Sequence, residues 1–143
     1  MRTPTIKESG DGLAVQVTKQ ARRAGMVDED AEGDATRLAG VYVYGFDGIL
    51  LIVDAENVSD SDRAELVSSA ASDTGSVYRG EASSMAIAGN GYQVQLPGCH
   101  AAGFSQGDQT PVRTEPGLMV VHDGENERIA GDLITLRADQ RSG

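Results

Sequence analysis

The chain has 143 residues, with 22 Asp and Glu against 12 Lys and Arg, only 4% aromatics and a single cysteine. No apolar run approaches the roughly 18 residues of a membrane helix, the start Met1-Arg-Thr-Pro-Thr-Ile-Lys-Glu8 has no signal-like apolar stretch, and Cys99 has no partner for an internal disulfide. This composition excludes a helical membrane protein and predicts a soluble, cytoplasmic one; its acidity and near absence of lysine, only Lys7 and Lys19, look like those of a protein from a high-salt, halophilic cytoplasm.

In chain order, Thr5 to Lys7 is a short extended segment, Glu8 to Gly12 a turn, and Leu13 to Thr18 alternates apolar and polar residues as a half-buried strand does. Lys19 to Met26 suits a short helix closed at Gly25, and Asp28 to Asp34 reads as an acidic loop. Val41 to Tyr44 and Ile49 to Val53 flank Asp47-Gly48, a hairpin signal. Ser59 to Ala71 predicts a helix, with a serine cap, an acidic first turn and Leu66, Val67, Ala70 and Ala71 on one side. Ser72 to Ser76 is a polar break. Met85 to Ala88 with Tyr92 to Leu96, and Thr110 to Arg113 with Leu118 to His122, predict two further hairpins; Pro97 to Phe104 holds a turn of helix at most. Arg128 to Arg137 fits either a helix or a strand.

These elements repeat. Gly10-Asp11-Gly12, Leu13 to Val17, Ala24-Gly25-Met26, Gly33-Asp34 and Asp47-Gly48 with its apolar run recur as Gly89-Asn90-Gly91, Tyr92 to Leu96, Ala102-Gly103-Phe104, Gly107-Asp108 and Pro116-Gly117 with Leu118 to Val121. An ordered series of this kind marks a duplicated unit. Each copy has about 60 to 70 residues, too few for a secure core alone, so the copies are expected to share one.

The order of strand, Gly-rich turn, strand, short helix, Gly-Asp and hairpin resembles AbrB-like (SpoVT/AbrB) swapped-hairpin domains, in two degenerate copies of a halophilic archaeal type. Glu8-Ser9-Gly10 with Leu13, Val15 and Val17, and Gly89-Asn90-Gly91-Tyr92 with Val94, Leu96 and Pro97, carry the likeness. It spans about residues 3–54 and 83–122. It implies a mainly β (α+β) fold with short helices, in which two barrel-like repeats interleave hairpins and share a core. The expected boundaries are 1–58 for repeat 1, 59–82 for a connecting helix and linker, and 83–143 for repeat 2 with a C-terminal helix or strand.

The resemblance also implies a DNA face on the first hairpin and helix, with Lys7, Lys19, Arg22 and Arg23 as the DNA-binding residues. Charge agrees: residues 1–24 carry net +3, residues 25–81 net −10 and residues 82–143 net −3. Thr18 stands where the family has a proline, and Gly98, Cys99 and His100 stand where the second copy needs basic residues, so the copies are expected to be asymmetric, the first touching DNA and the second architectural. At 1 M salt the Debye length is about 3 Å, which weakens phosphate contacts and leaves base readout, such as a bidentate arginine on guanine, to carry more.

Other chemistries fit less well. Gly103-Phe-Ser105-Gln-Gly107 matches a nucleophile-elbow pattern, with His122 and several aspartates downstream, but lacks the flanking strand and helix. Cys99, His100, His122 and Asp123 lack zinc-ligand spacing. Asp28 to Glu32 lacks a calcium loop's spacing and closing glutamate, and Gly89-Asn-Gly91 lacks a phosphate loop's lysine. No enzyme, cofactor or metal is expected. The resemblance implies a DNA-binding transcriptional regulator or antitoxin-like protein, working as a homo-oligomer, in the second case with a toxin or other protein partner. The net charge of −10 equally suits a non-catalytic structural protein, such as a viral capsid decoration or assembly module. The halophilic reading predicts reversible unfolding, followed by circular dichroism, on dialysis from molar to low salt; indifference to salt contradicts it.

Overall fold

The computed structural model describes residues 4–9, 12–75, 78–89, 91–97 and 102–142. In chain order they form β1 (Ile6–Ser9), β2 (Gly12–Gln16), α1 (Thr18–Arg23), β3 (Val27–Glu29), β4 (Ala35–Leu38), β5 (Gly40–Phe46), β6 (Ile49–Asp54), α2 (Asp60–Thr74), β7 (Tyr78–Ala88), β8 (Gly91–Gln95), β9 (Val112–Glu115), β10 (Leu118–His122) and α3 (Glu127–Ser142). The fold is mainly β with a few short helices. Eight strands make one curled sheet in the order β1-β2-β8-β7-β5-β6-β10-β9, and β3 and β4 make a separate two-stranded sheet. The curl brings its two ends together: Thr5 bridges Gln109, Ile6 N–H donates to the Asp108 carbonyl at 2.9 Å, and Thr110 N–H donates to the Pro4 carbonyl at 2.8 Å.

The pairings outside the hairpins join the first sequence copy to the second. Along β2 and β8, Val15 sits opposite Val94; along β6 and β10, Leu51 sits opposite Val120. Both pairs occupy equivalent places in the two copies. Loop contacts follow the same symmetry, for Gly48 N–H donates to the Ala102 carbonyl at 2.9 Å and Gly117 N–H to the Ala24 carbonyl at 2.8 Å. The segments that carry the sequence repeat therefore lie side by side in one sheet.

β6 and β10 are buried along their whole length. Alternation sends Leu50, Ile52, Met119 and Val121 into an inner cluster with Ile6, Val15, Val43, Val94 and Phe104. Ile49, Leu51, Val53, Leu118 and Val120 go to the outer face, under Leu66 and Ala70 of α2 and Ala130 and Leu133 of α3. Burial on both faces is why these strands read as unbroken apolar runs. The β5–β6 and β9–β10 hairpins turn on glycines at positive φ, Gly48 at 79° and Gly117 at 86°, and Pro116-Gly117 is the residue pair that a type II turn favours.

Several expectations are corrected. The acidic segment 28–34 is not all loop: Val27–Glu29 pairs with Ala35–Leu38, a strand with no expected counterpart. β7 begins at Tyr78 rather than Met85, because it runs beside β5 as well as β8. β9 lies at Val112–Glu115, two residues beyond the expected start, since residues 107–110 are taken up in meeting Pro4 to Ile6. The ambiguous C-terminal segment is helix α3, whose buried face covers β10. α2 matches its expected start, with the Ser59 hydroxyl accepting from Asp62 N–H at 3.2 Å. The readings placed on Gly10, Asp11, Asn90, Gly98, Cys99 and His100 lie outside the described residues. No helix among the described residues is long and apolar enough to cross a membrane.

Leu51 carries the outer cluster at the pairing between copies. Leu51→Ala is expected to cost about 2–5 kcal/mol, read as a lower urea midpoint at unchanged slope. A loss under about 1 kcal/mol contradicts its place in a shared core.

Candidate nucleic-acid interface

α1 is short, and neighbours rather than propensity hold it. Val17 caps it without a side-chain bond; instead Val17 N–H donates to the Tyr92 carbonyl at 2.9 Å, and Tyr92 N–H donates to Thr18 Oγ1 at 3.0 Å. Gly91 permits this approach, since a side chain there would run into Thr18 Oγ1 and come within 2.9 Å of Gln16 Nε2. At the far end Met26 N–H donates to the Ala21 carbonyl and Gly25 N–H to that of Arg22, with Gly25 at a φ of 69°. This is a Schellman closure, and both Ala21 and Met26 are buried as it favours. Arg22 and Arg23 fall in the last turn, where cations also suit the helix dipole.

The four cations expected at the interface differ in what they touch. Lys19 and Arg23 are exposed and have no hydrogen-bond or ion-pair partner among the described residues. Lys7, half-buried on β1, donates from Nζ to Gln16 Oε1 at 3.4 Å, and Gln16 Nε2 donates on to the Ala88 carbonyl at 3.2 Å. Lys7 thus lies beside the strand that leads into α1. Arg22 is engaged: its Nε and Nη2 grip the two carboxylate oxygens of Glu29 at 2.8 and 3.0 Å. The Tyr92 hydroxyl donates to the same carboxylate at 2.6 Å, and the guanidinium lies 5.8 Å from the Tyr92 ring centre. A register irregularity between Asp28 and Glu29 occurs where the strand delivers Glu29 to Arg22, the kind of re-aiming that a bulge provides.

Electrostatics follow the geometry. The Arg22 hydrogen bond and then that of Tyr92 hold the Glu29 carboxyl down to about 2. The same carboxylate raises Arg22 and Tyr92 above their ordinary values, chiefly through its hydrogen bonds to them.

One repeated motif escaped the sequence reading. Asp54-Ala-Glu-Asn57 begins at the last residue of β6, and Asp123-Gly-Glu-Asn126 follows β10 directly. Asp54 Oδ1 accepts from the backbone N–H of Glu56 and Asn57, and Asp123 Oδ1 from those of Glu125 and Asn126. In both, the asparagine amide donates back to the aspartate. Asp54 N–H donates to the Gly117 carbonyl and Asp123 N–H to that of Gly48, so each motif clasps the other copy's hairpin turn. Extending the repeat alignment six residues past Gly48 and Gly117 reveals it. Asp54, fully buried, also receives Arg37 Nη2 at 3.4 Å.

The remaining candidate groups lie apart. Ser105 is exposed, in turns where its N–H donates to Asp108 Oδ2 at 2.8 Å, rather than between a strand and a helix. His122 is buried with Nδ1 2.7 Å from the Asp123 carbonyl, and its Nε2 has no hydrogen-bond partner among the described residues. Among the described residues no three His, Cys, Asp or Glu side chains gather as a metal site. No family model, curated protein or solved structure matches this chain.

A folded pKa below the ordinary 4.5 means that Glu29 stabilises the fold fully above that pH and loses its contribution as pH falls from there through about 2. Carboxyl carbon-13 titration is expected to show a midpoint near 2, raised most by Arg22→Ala and less by Tyr92→Phe. A midpoint near 4.5 in the unsubstituted protein contradicts the grip.

Proposed function

We propose that the protein is a DNA-binding regulator or antitoxin-like protein of the swapped-hairpin class, built as an intramolecular pseudo-dimer. The observation that carries this reading is the cross-copy pairing: β1–β2 lies against β8 and, through Thr5, against the segment before β9, while β5–β6 lies between β7 and β10. Within the main sheet the hairpins of the first half thus lie against those of the second, which supports reading them as two interleaved domains. Lys19 and Arg23 on α1, with Lys7 nearby, supply the cations for phosphate or base edges. With Arg22 held by Glu29, Arg23 is the guanidinium of the helix that has no partner among the described residues.

Repeat 2 serves architecture on this reading, and a halophilic cytoplasm and a homo-oligomer go with it. A toxin or other protein would be the further partner of the antitoxin-like form. The acidic neighbours of α1 favour the second reading, a structural or assembly module.

Binding of fluorescent genomic duplex fragments, followed by anisotropy across a potassium chloride series, separates them. The unsubstituted protein is expected to bind, and Lys19→Ala with Arg23→Ala to lower affinity and flatten the log–log salt slope by about 1 for each phosphate that is no longer neutralised. Absence of binding at every salt concentration defeats the DNA reading and leaves the structural module.

A further inference from the structure

The inference rests on the DNA reading and concerns how that face is regulated. The β3–β4 hairpin belongs to the copy with the basic helix and has no counterpart of its size in the other: seven residues separate Gly25 from Gly33, against three between Gly103 and Gly107. It stands apart from the main sheet. Its base is fixed, since Ala39 N–H donates to the Met26 carbonyl at 2.9 Å and Arg37 reaches Asp54 and Glu56 at 3.4 and 3.3 Å. Its tip is an exposed acidic turn, closed by Asp30 Oδ1 accepting from the N–H of Glu32 and Asp34. Glu29 joins this hairpin to α1 and β8.

We propose that the β3–β4 hairpin is an acidic strap whose Glu29 carboxylate occupies the anion fork made by Arg22 and the Tyr92 hydroxyl, and gives that fork up to a DNA phosphate. A guanidinium binds carboxylate and phosphate with the same bidentate geometry, so the two compete for one site. The donors are already placed: Arg22 Nε and Nη2 point at one anion and the Tyr92 hydroxyl at the same anion. The Arg22 side chain is 48% exposed, so a phosphate can reach it from solvent. Exposed ion pairs of this kind are weak, which makes the exchange reversible. Once Glu29 has let go, α1 presents Arg22 beside Lys19 and Arg23.

The test is Glu29→Gln, which removes the charge and keeps the shape, assayed by anisotropy with the same duplex fragments. Binding is expected to tighten roughly two- to fivefold, the worth of one exposed ion pair, with a salt slope steeper by about 1; adding Arg22→Ala to Glu29→Gln should abolish the gain. If the unsubstituted protein binds and Glu29→Gln does not tighten it, the strap is overturned while the DNA reading stands. If neither binds, both fall.

A second measurement needs no substitution. On adding DNA, the carboxyl titration of Glu29 is expected to move from about 2 up towards the usual carboxylate range. An unchanged midpoint in the bound protein overturns the exchange.

Discussion

The antiparallel pairing of Ile49–Asp54 with Leu118–His122 is the contact on which the rest of the molecule depends. Each strand is the most apolar run of its own copy and each is buried on both faces, a condition one small repeat cannot meet alone. Placing them side by side gives every second residue to the inner cluster and the others to the helical layer. The ends of these strands then fix the turns, because Asp54 and Asp123 each reach across to the other copy's glycine turn. Backbone groups at those reversals are satisfied by the partner copy, so neither turn is complete without it.

From that common frame the copies diverge at the surface. Ala24 and Ala102 make equivalent contacts to Gly117 and Gly48, and the Ala24 contact is preceded by a helix bearing Lys19, Arg22 and Arg23. The first copy also carries the acidic β3–β4 hairpin that neutralises one of them. Net charge over residues 25–81 is −10, and the structure sets part of that charge directly against the basic helix rather than on a remote face. The first half of the chain thus carries a charged surface that is countered in place, Arg22 by Glu29. On our reading this surface is the DNA face, and Glu29 decides how many of its arginines are on offer.

Periodicity and turn chemistry made much of this fold legible. Asp47-Gly48, Pro116-Gly117 and the Ser59 cap are local signals whose geometry needs little from the rest of the chain, and the structure places turns and a helix start there. The repeat pattern led to the expectation of a shared core; the structure pairs Val15 with Val94 and Leu51 with Val120 in one curled sheet. What stayed hidden depended on distant partners. Val27–Glu29 carries a dense acidic composition that reads as solvated loop, and becomes a strand only against Ala35–Leu38. Arg22 reads as a free cation on a helix until Glu29, seven residues on, is folded back onto it. The Asp-x-Glu-Asn motif looks like ordinary polar loop until the N–H groups of Asp54 and Asp123 are seen reaching the carbonyls of Gly117 and Gly48.

On our reading each half of the chain completes the other, and separate expression of residues 1–75 and 76–143 tests this most directly. Native mass spectrometry and circular dichroism are expected to find neither half folded as a monomer, and mixing to restore a folded one-to-one complex. A half that unfolds cooperatively as a monomer would contradict the account.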